Sequence, residues 1–392
     1  MPRRRLFGGC VNAFIPYGRQ LIEDDDEAAV VAALRSDYLT QGPKTKTFED
    51  ELAAYVDAQY CVAVSSATAG LHLAMASLDL APGEGVTTPN TFVATSNAMA
   101  YVGLTPVFAD INPATRNLSP ASARAAITER TRVIAPVHFA GLPADMERLA
   151  PLANERGIRL VEDAAHAIGS EYASGGRVGN GRFSAMTVFS FHPVKSMTTG
   201  EGGAITTNDA ALYERLMMLR SHGITRDPAR LGAAPGTWWY EQQALGFNYR
   251  MTEIQAALGS SQLRKLDRFR ARRQAIVARY RSGLSGLSWL GLPPDAGLQE
   301  VCWHLFVARF DFEAIGRTRG EVMAALAGEG VGSQVHYIPV YRQPWYHARQ
   351  GDQTARFAAN EAYYAQCLSL PLYPAMTDED ADRVIAAVRG LV

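Results

Sequence analysis

Thr187-Val-Phe-Ser-Phe-His-Pro-Val-Lys195-Ser-Met-Thr-Thr-Gly-Glu-Gly-Gly203 decides how this 392-residue chain is read. The apolar, β-prone stretch 185–191 delivers one lysine into a glycine-rich turn, and a second strand follows at 204–207. A lysine at a strand end among Ser, His, Thr and Gly is a poor core residue. It is either an ordinary solvated side chain or, if its amine is desolvated, a nucleophile able to form a Schiff base. The run alone leaves both readings open, and its surroundings separate them.

Upstream, short apolar runs at 61–65, 85–88, 105–109, 133–137 and 158–162 alternate with helical patterns at 69–78, 92–101, 120–127 and 145–156. With 185–191 and 204–207 they make about seven strands. This alternation predicts an α/β fold with a mainly parallel sheet and helices on both faces. Ligands of such sheets sit beyond the carboxyl ends of the strands. We expect a large domain over 1–260, including an N-terminal arm, and a smaller α/β domain with its connecting helix over 261–392. Residues 223–246, rich in Gly, Pro, Trp and Tyr, read as a functional loop. A long helical pattern covers 252–284, with eight basic residues between Arg264 and Arg281. Leu263, Leu266, Phe269 and Ile276 interleave with them at near-helical spacing, which predicts a solvated face on a connecting helix and not a nucleic-acid patch. The small domain reads as strand 303–310, helix 319–329, strand 331–337, and helices at 354–367 and 378–388.

Composition sets the outer limits. A formal net charge of -1 argues against a polyanion binder, and 47% hydrophobic with 20% charged residues is ordinary globular composition. Cys10, Cys61, Cys302 and Cys367 are widely separated and read as free thiols of a reducing compartment. The stretch after Arg3, Arg4 and Arg5 is too short and interrupted for a signal peptide, and no later run has the length of a membrane span. The expectation is a cytoplasmic protein without membrane or nucleic-acid partners.

Four strand ends carry chemistry-bearing residues. In Ser65-Ser-Ala67-Thr68 small residues open a helix whose amides can cradle an anion, although Ser and Thr are also common caps. Glu162-Asp163-Ala-Ala-His166 puts Asp163 at the sheet edge, where a carboxylate can hold a protonated heterocyclic nitrogen, and His166 beside it. A carboxylate-histidine metal site would need a second such pair, which is absent, so no metal is expected. In Thr91-Phe92-Val-Ala-Thr95, Phe92 follows a strand and can stack on a planar ring. The fourth end is Ser190-Phe-His192 with Lys195. One planar cofactor would use all four: pyridoxal 5′-phosphate (PLP) needs a lysine, an acid, a flat contact and an anion nest.

That order of motifs resembles the DegT/DnrJ/EryC1/StrS family, fold-type I PLP-dependent aminotransferases acting on nucleotide-linked keto sugars. The likeness runs from about Ile15 to the C-terminus. It implies that Lys195 carries the Schiff base, Asp163 meets the pyridine nitrogen, Phe92 stacks on the ring, and Ala67, Thr68 and Ser190 contact the phosphate. Asn248, in Gly-Phe-Asn-Tyr-Arg-Met, matches an asparagine that reaches the cofactor phosphate of the neighbouring subunit in a homodimer. His166 departs from the glutamine common in the wider family. Further likeness at Tyr17, in Tyr38-Leu-Thr-Gln-Gly, and in 221–227 and 240–250 is to the pseudaminic-acid branch. That branch aminates C4 of a UDP-linked 4-keto-6-deoxy-N-acetylhexosamine with glutamate as donor, releasing 2-oxoglutarate. The likeness implies that Tyr17, Asp37, Tyr38, Leu39, Thr40, His192, His336 and Tyr337 face the substrate. Alternatives are a 4-keto pentose or dTDP-hexose substrate, and a PLP-binding regulator without turnover. A dehydratase of the family would carry histidine in place of Lys195.

Overall fold

Seven short strands build the large sheet: β1 Tyr60–Val64, β2 Glu84–Thr87, β3 Thr105–Phe108, β4 Thr131–Ala135, β5 Arg159–Asp163, β6 Met186–Ser190 and β7 Gly203–Thr207. A computed structural model describes residues 13–232, 235–295 and 300–392. The sheet runs β1-β7-β6-β5-β4-β2-β3. The β2/β3, β2/β4, β4/β5 and β5/β6 pairs are parallel, and β7 alone runs antiparallel to both its neighbours, β1 and β6. Strand alternation feeds two cores, one on each face. Phe189 and Cys61 pack on one side, while Val188 and Val62 pack on the other. The helix Ala67–Ser77 lies hard against the second face, where a Cβ at Gly70 would come within 2.9 Å of Val188. That close seat sets the helix N-terminus at the carboxyl edge of the sheet.

The segment after the sheet holds a short hairpin, β8 Ile224–Thr225 with β9 Glu241–Gln242. It leaves Trp238 and Leu245 exposed at 70% and 84%. The single helix expected over 252–284 is two, Glu253–Leu263 and Leu266–Gly283. Lys265 sits at the break, turned inward so that its amine meets Asp25 and Asp26 at 2.7 Å each. The basic cluster is therefore not simply a solvated face. Arg272 pairs with Asp378, Arg279 with Asp382 and Arg268 with Glu23, while Arg273 is wholly buried.

A three-stranded antiparallel sheet follows: β10 Leu290–Gly291, β11 Phe306–Phe310 and β12 Cys367–Leu370. Its core takes Ile276, Val277 and Tyr280 from the second helix, Val384 and Val388 from the helix Asp378–Arg389, and Ile15 from the N-terminal arm. Two expectations fail in this region. Residues 331–337 form no strand, only bridges from Ile15 to Val331 and from Gln334 to Ser369. Cys367, expected to end a helix, instead begins β12, where apolar residues are buried on both faces. Among the described residues no helix is long and apolar enough to cross a membrane. Cys61, Cys302 and Cys367 are free and buried, and Cys10 lies outside the described residues.

Glu253 fastens the early chain to this frame. Fully buried, it accepts hydrogen bonds from the amides of Lys44 (2.6 Å) and Thr45 (3.2 Å) and from the Thr45 hydroxyl (2.5 Å). Its own amide donates to the Leu39 carbonyl at 3.0 Å, which anchors residues 37–40. Glu253→Ala strands these donors and should lower unfolding stability by about 2 kcal/mol in urea titrations. An unchanged midpoint and slope would contradict this account.

Candidate active site

Strand ends and the entry to β7 converge at the carboxyl edge of the large sheet on a cavity of about 470 Å³. Lys195 reaches it from the turn after β6. The chain has four lysines, and they fall into distinct settings. Lys46 pairs with Asp50 and Lys265 with Asp25 and Asp26, and these bonds raise both amines above the ordinary lysine value. Lys195 is pushed the other way, down to about 8, because its amine is desolvated; the Asp163 charge opposes the fall. Such an amine is partly neutral near physiological pH. The scarcity of lysine beside 34 arginines was a signal available in the sequence.

Asp163 ends β5 and is buried. Its Oδ1 accepts from the Ala165 amide at 3.0 Å and its Oδ2 from the Thr95 hydroxyl at 2.5 Å. Since Thr95 spends its proton on the carboxylate, Thr91, 2.8 Å away, donates to Thr95. Thr91 lies in the turn just ahead of the helix Ala94–Tyr101 and Thr95 in its first turn, which sets the two hydroxyls side by side. The carboxylate is thus aimed by a two-hydroxyl chain. Sequence alone assigns neither threonine this work, since the turn that pairs them lies ahead of the regular helix.

His166 sits beside Asp163. Its Nδ1 accepts from the Ala140 amide at 3.2 Å, so in the neutral ring Nε2 carries the hydrogen and donates to the Tyr337 oxygen at 3.1 Å. Desolvation first, then the charges of Lys195 and His336, hold His166 well below the usual histidine range. His336 is brought down to about 3 by burial and by Lys195, and its Nδ1 lies 2.7 Å from the Ser369 hydroxyl. Burial and the Asp163 charge raise Tyr337, which stays protonated and is left with a hydroxyl proton to offer. Lys195 therefore faces neutral imidazoles. His304, which the sequence reading missed, completes this wall with its ring 4.5 Å from His166. Nothing in its local pattern marks it.

The opposite wall is built for an anion and a flat ring. The Ser66 hydroxyl caps the helix Ala67–Ser77 by accepting from Ala69, and the amides of Ala67 and Thr68, which precede the first intrahelical bond, line the cavity. A Cβ at Gly203 would lie 2.7 Å from the Ala67 nitrogen, so only glycine lets β7 start so close to that helix end. Ser190 lies alongside at the end of β6. Phe92 precedes its helix in the turn after β2 and is 59% exposed, presenting its ring to the cavity. Thus a carboxylate, an amine, an anion nest and an aromatic face surround one space, a donor set that fits PLP.

Tyr17, His192, His336 and Tyr337 also line the cavity. Asp37, Tyr38, Leu39 and Thr40 do not; they are exposed residues held by the Leu39–Glu253 bond and by the bridge from Thr40 to Thr252. Asn248 is exposed outside the cavity, bridged to Ser221.

The chain belongs to the DegT/DnrJ/EryC1/StrS aminotransferase family, whose model matches residues 20–389. It is accordingly a PLP-dependent sugar aminotransferase. It is 40% identical over 385 residues to the spore coat polysaccharide biosynthesis protein SpsC of Bacillus subtilis, covering 97% of this chain and 98% of that one. Among solved structures it is similar to Helicobacter pylori PseC, an aminotransferase involved in the biosynthesis of pseudoaminic acid. That likeness has 29% identity and a TM-score of 0.88 over 96% of this chain and 99% of PseC. The PMP-form of the putative sugar aminotransferase Spr1654 of Streptococcus pneumoniae matches at 32% identity and a TM-score of 0.87, covering 96% of this chain and 97% of that one.

The Lys195 environment gives a pH prediction. In protein freed of cofactor, the amine should react with an acylating probe with a midpoint near pH 8, since only the neutral amine is nucleophilic. Asp163 supports the charged form, so Asp163→Asn should move the midpoint lower. Rates mapped by mass spectrometry of the Lys195 peptide check this. A midpoint at the ordinary 10.5, or an upward move in the variant, contradicts it.

Proposed function

We propose that this enzyme transfers the amino group of glutamate to C4 of a UDP-linked 4-keto-6-deoxy-N-acetylhexosamine, in the cytoplasm, as a homodimer with shared active sites. The observation that carries the chemistry is the single lysine with a lowered pKa, sharing its cavity with the buried, hydroxyl-aimed Asp163. PLP, when bound, supplies the aldehyde that captures amines and a ring that takes up the electron pair left by a departing Cα proton. Lys195 would hold it covalently, and an amine poised near neutrality is suited to take up and return a proton at that carbon. Asp163 would keep the ring nitrogen protonated, and Thr95 and the Ala165 amide prevent its carboxylate from turning away. The Ala67 and Thr68 amides and the Ser190 hydroxyl would hold the phosphate, and Phe92 would cover one ring face. His166, held neutral beside Asp163, would meet the 3′-oxygen of the cofactor.

Tyr17, His192, His336 and Tyr337 line the cavity and are assigned to the sugar. The likeness to PseC supports this substrate class, as does the resemblance at Tyr17 and along residues 38–42, 221–227 and 240–250. Purified enzyme offered UDP- and dTDP-linked 4-keto sugars with glutamate should aminate the UDP-N-acetylhexosamine, and NMR of the product should find the amine at C4. Amination at C3, or turnover only of dTDP sugars or 4-keto pentoses, assigns the enzyme to another substrate.

Asn248 and residues 37–40 lie outside the cavity of their own chain, and we assign them to the cavity of a second copy. The exposed Trp238, Tyr240 and Leu245 support an apolar face covered by that copy. Lys195→Ala subunits mixed with Asn248→Ala subunits should form hybrids with one intact site and regain activity above either parent. No gain in verified hybrids means that each chain builds its site alone.

A further inference from the structure

Arg273 is among the largest side chains with no exposure in the described residues. None of the described carboxylates forms an ion pair with it. Its two terminal nitrogens donate instead to main-chain carbonyls, Leu372 at 2.8 Å and Trp303, His304 and Lys195 at 3.3 Å each, while its buried Nε has no partner among the described residues. Burial brings the guanidinium down to about 10, which leaves it charged at neutral pH. Burying a cation without a counter-charge is expensive, and an apolar side chain of similar volume would fill such a space at less cost. Filling the core does not account for an arginine at this position.

The carbonyls it holds come from three separate parts of the chain. One belongs to the turn that bears Lys195, two to the crossover into β11, and one to the segment after β12. The crossover touches the lysine turn again, with Cys302 Sγ 3.6 Å from the Ser196 hydroxyl. It also places the His304 ring on His166. At its other end the Lys195 main chain is tied by its amide, which donates to the His192 carbonyl at 2.9 Å. The lysine is thus gripped on both sides, by its own turn and by a guanidinium on the helix Leu266–Gly283. Ile276, Val277 and Tyr280 of that helix belong to the core of the small sheet. The planar fork suits this work, because its fixed donors reach several carbonyls at once, which a lysine ammonium on a flexible stem does not match.

We propose that Arg273 is a positioning residue for Lys195, joining its main chain to the crossover and to the segment after β12 so that the amine enters the cavity in one orientation. This rests on the reading of Lys195 as the amine that binds the cofactor. The test compares wild type with Arg273→Lys, which keeps charge but loses the fork, and Arg273→Met, which keeps bulk but loses the donors. Four quantities are read on protein reconstituted with PLP: the rate of covalent PLP capture by absorbance, kcat and KM for glutamate in the half-reaction, and the thermal midpoint. Borohydride fixation and peptide mapping locate the captured cofactor. Capture rate and kcat should fall between about tenfold and a hundredfold in Arg273→Met, as expected for a misplaced reacting group, with KM nearly unchanged. Arg273→Lys should recover part of the loss, and added guanidinium should restore the rate of folded Arg273→Ala. Folded variants with wild-type capture and kcat, or with a change confined to KM, overturn the proposal. If none of the variants folds, Arg273 is a stability element and the proposal is likewise rejected. A wild-type label on another lysine overturns the reading of Lys195 itself, an outcome separate from unimpaired variants.

Discussion

Desolvation of one ammonium organises the carboxyl edge of the large sheet. A lysine that keeps its water is a spectator cation. The same lysine, enclosed by protein and facing neutral imidazoles, releases its proton within reach of physiological pH. That state needs a counterweight, since an amine pushed further would cease to hold a proton at all. Asp163 supplies it from the end of the neighbouring strand, and β5/β6 pairing sets the relation between the two strand ends. The rest of the site depends on this balance between burial and one carboxylate.

Asp163 is held from both faces of β5. On the cavity face, Thr91 and Thr95 aim its carboxylate. On the other face Glu162 is fully buried, with Oε2 accepting from His138 (2.7 Å) and Tyr172 (2.8 Å) and Oε1 from Ser184 (2.5 Å) and Thr187 (3.3 Å). Burial works against the Glu162 charge, but the His138 bond and the hydroxyls outweigh it and hold the carboxyl below its ordinary range. The His138 amide then donates to the Asp163 carbonyl at 3.0 Å. Two adjacent acids on one strand therefore do opposite work, because successive side chains leave a strand on opposite faces. One is saturated with donors and locks the strand end, and the other keeps lone pairs for the cavity.

The mainly parallel sheet, and a helix over 69–78 that the structure extends back to Ala67, were legible in the chain because apolar runs and 3.6-residue patterns are local signals, whereas the reversal of β7 was not. The grouping of Lys195, Asp163, Phe92 and the Ala67–Thr68 turn followed from one topological fact, that the ends of parallel strands share an edge. Less was legible where contacts are long-range. Lys265 looked like part of a solvated stripe, yet it breaks the helix to meet acids 239 and 240 positions earlier. Residues 331–337 have a strand's composition, but they bridge to Ile15 and Ser369 singly and send His336 and Tyr337 to the cavity.

The sequence by itself determined the class of fold, the strand ends that carry the chemical residues and the family resemblance, since these depend on periodicity and on motifs within a few residues. Only the tertiary structure decided which groups are charged and where they point. The neutrality of His166, the lowered proton affinity of Lys195, the Thr91–Thr95 chain and the grip of Arg273 on Lys195 arise from burial and from partners far apart in the chain. Desolvation is a property of the space around a group, and that space exists only once the chain has closed over it.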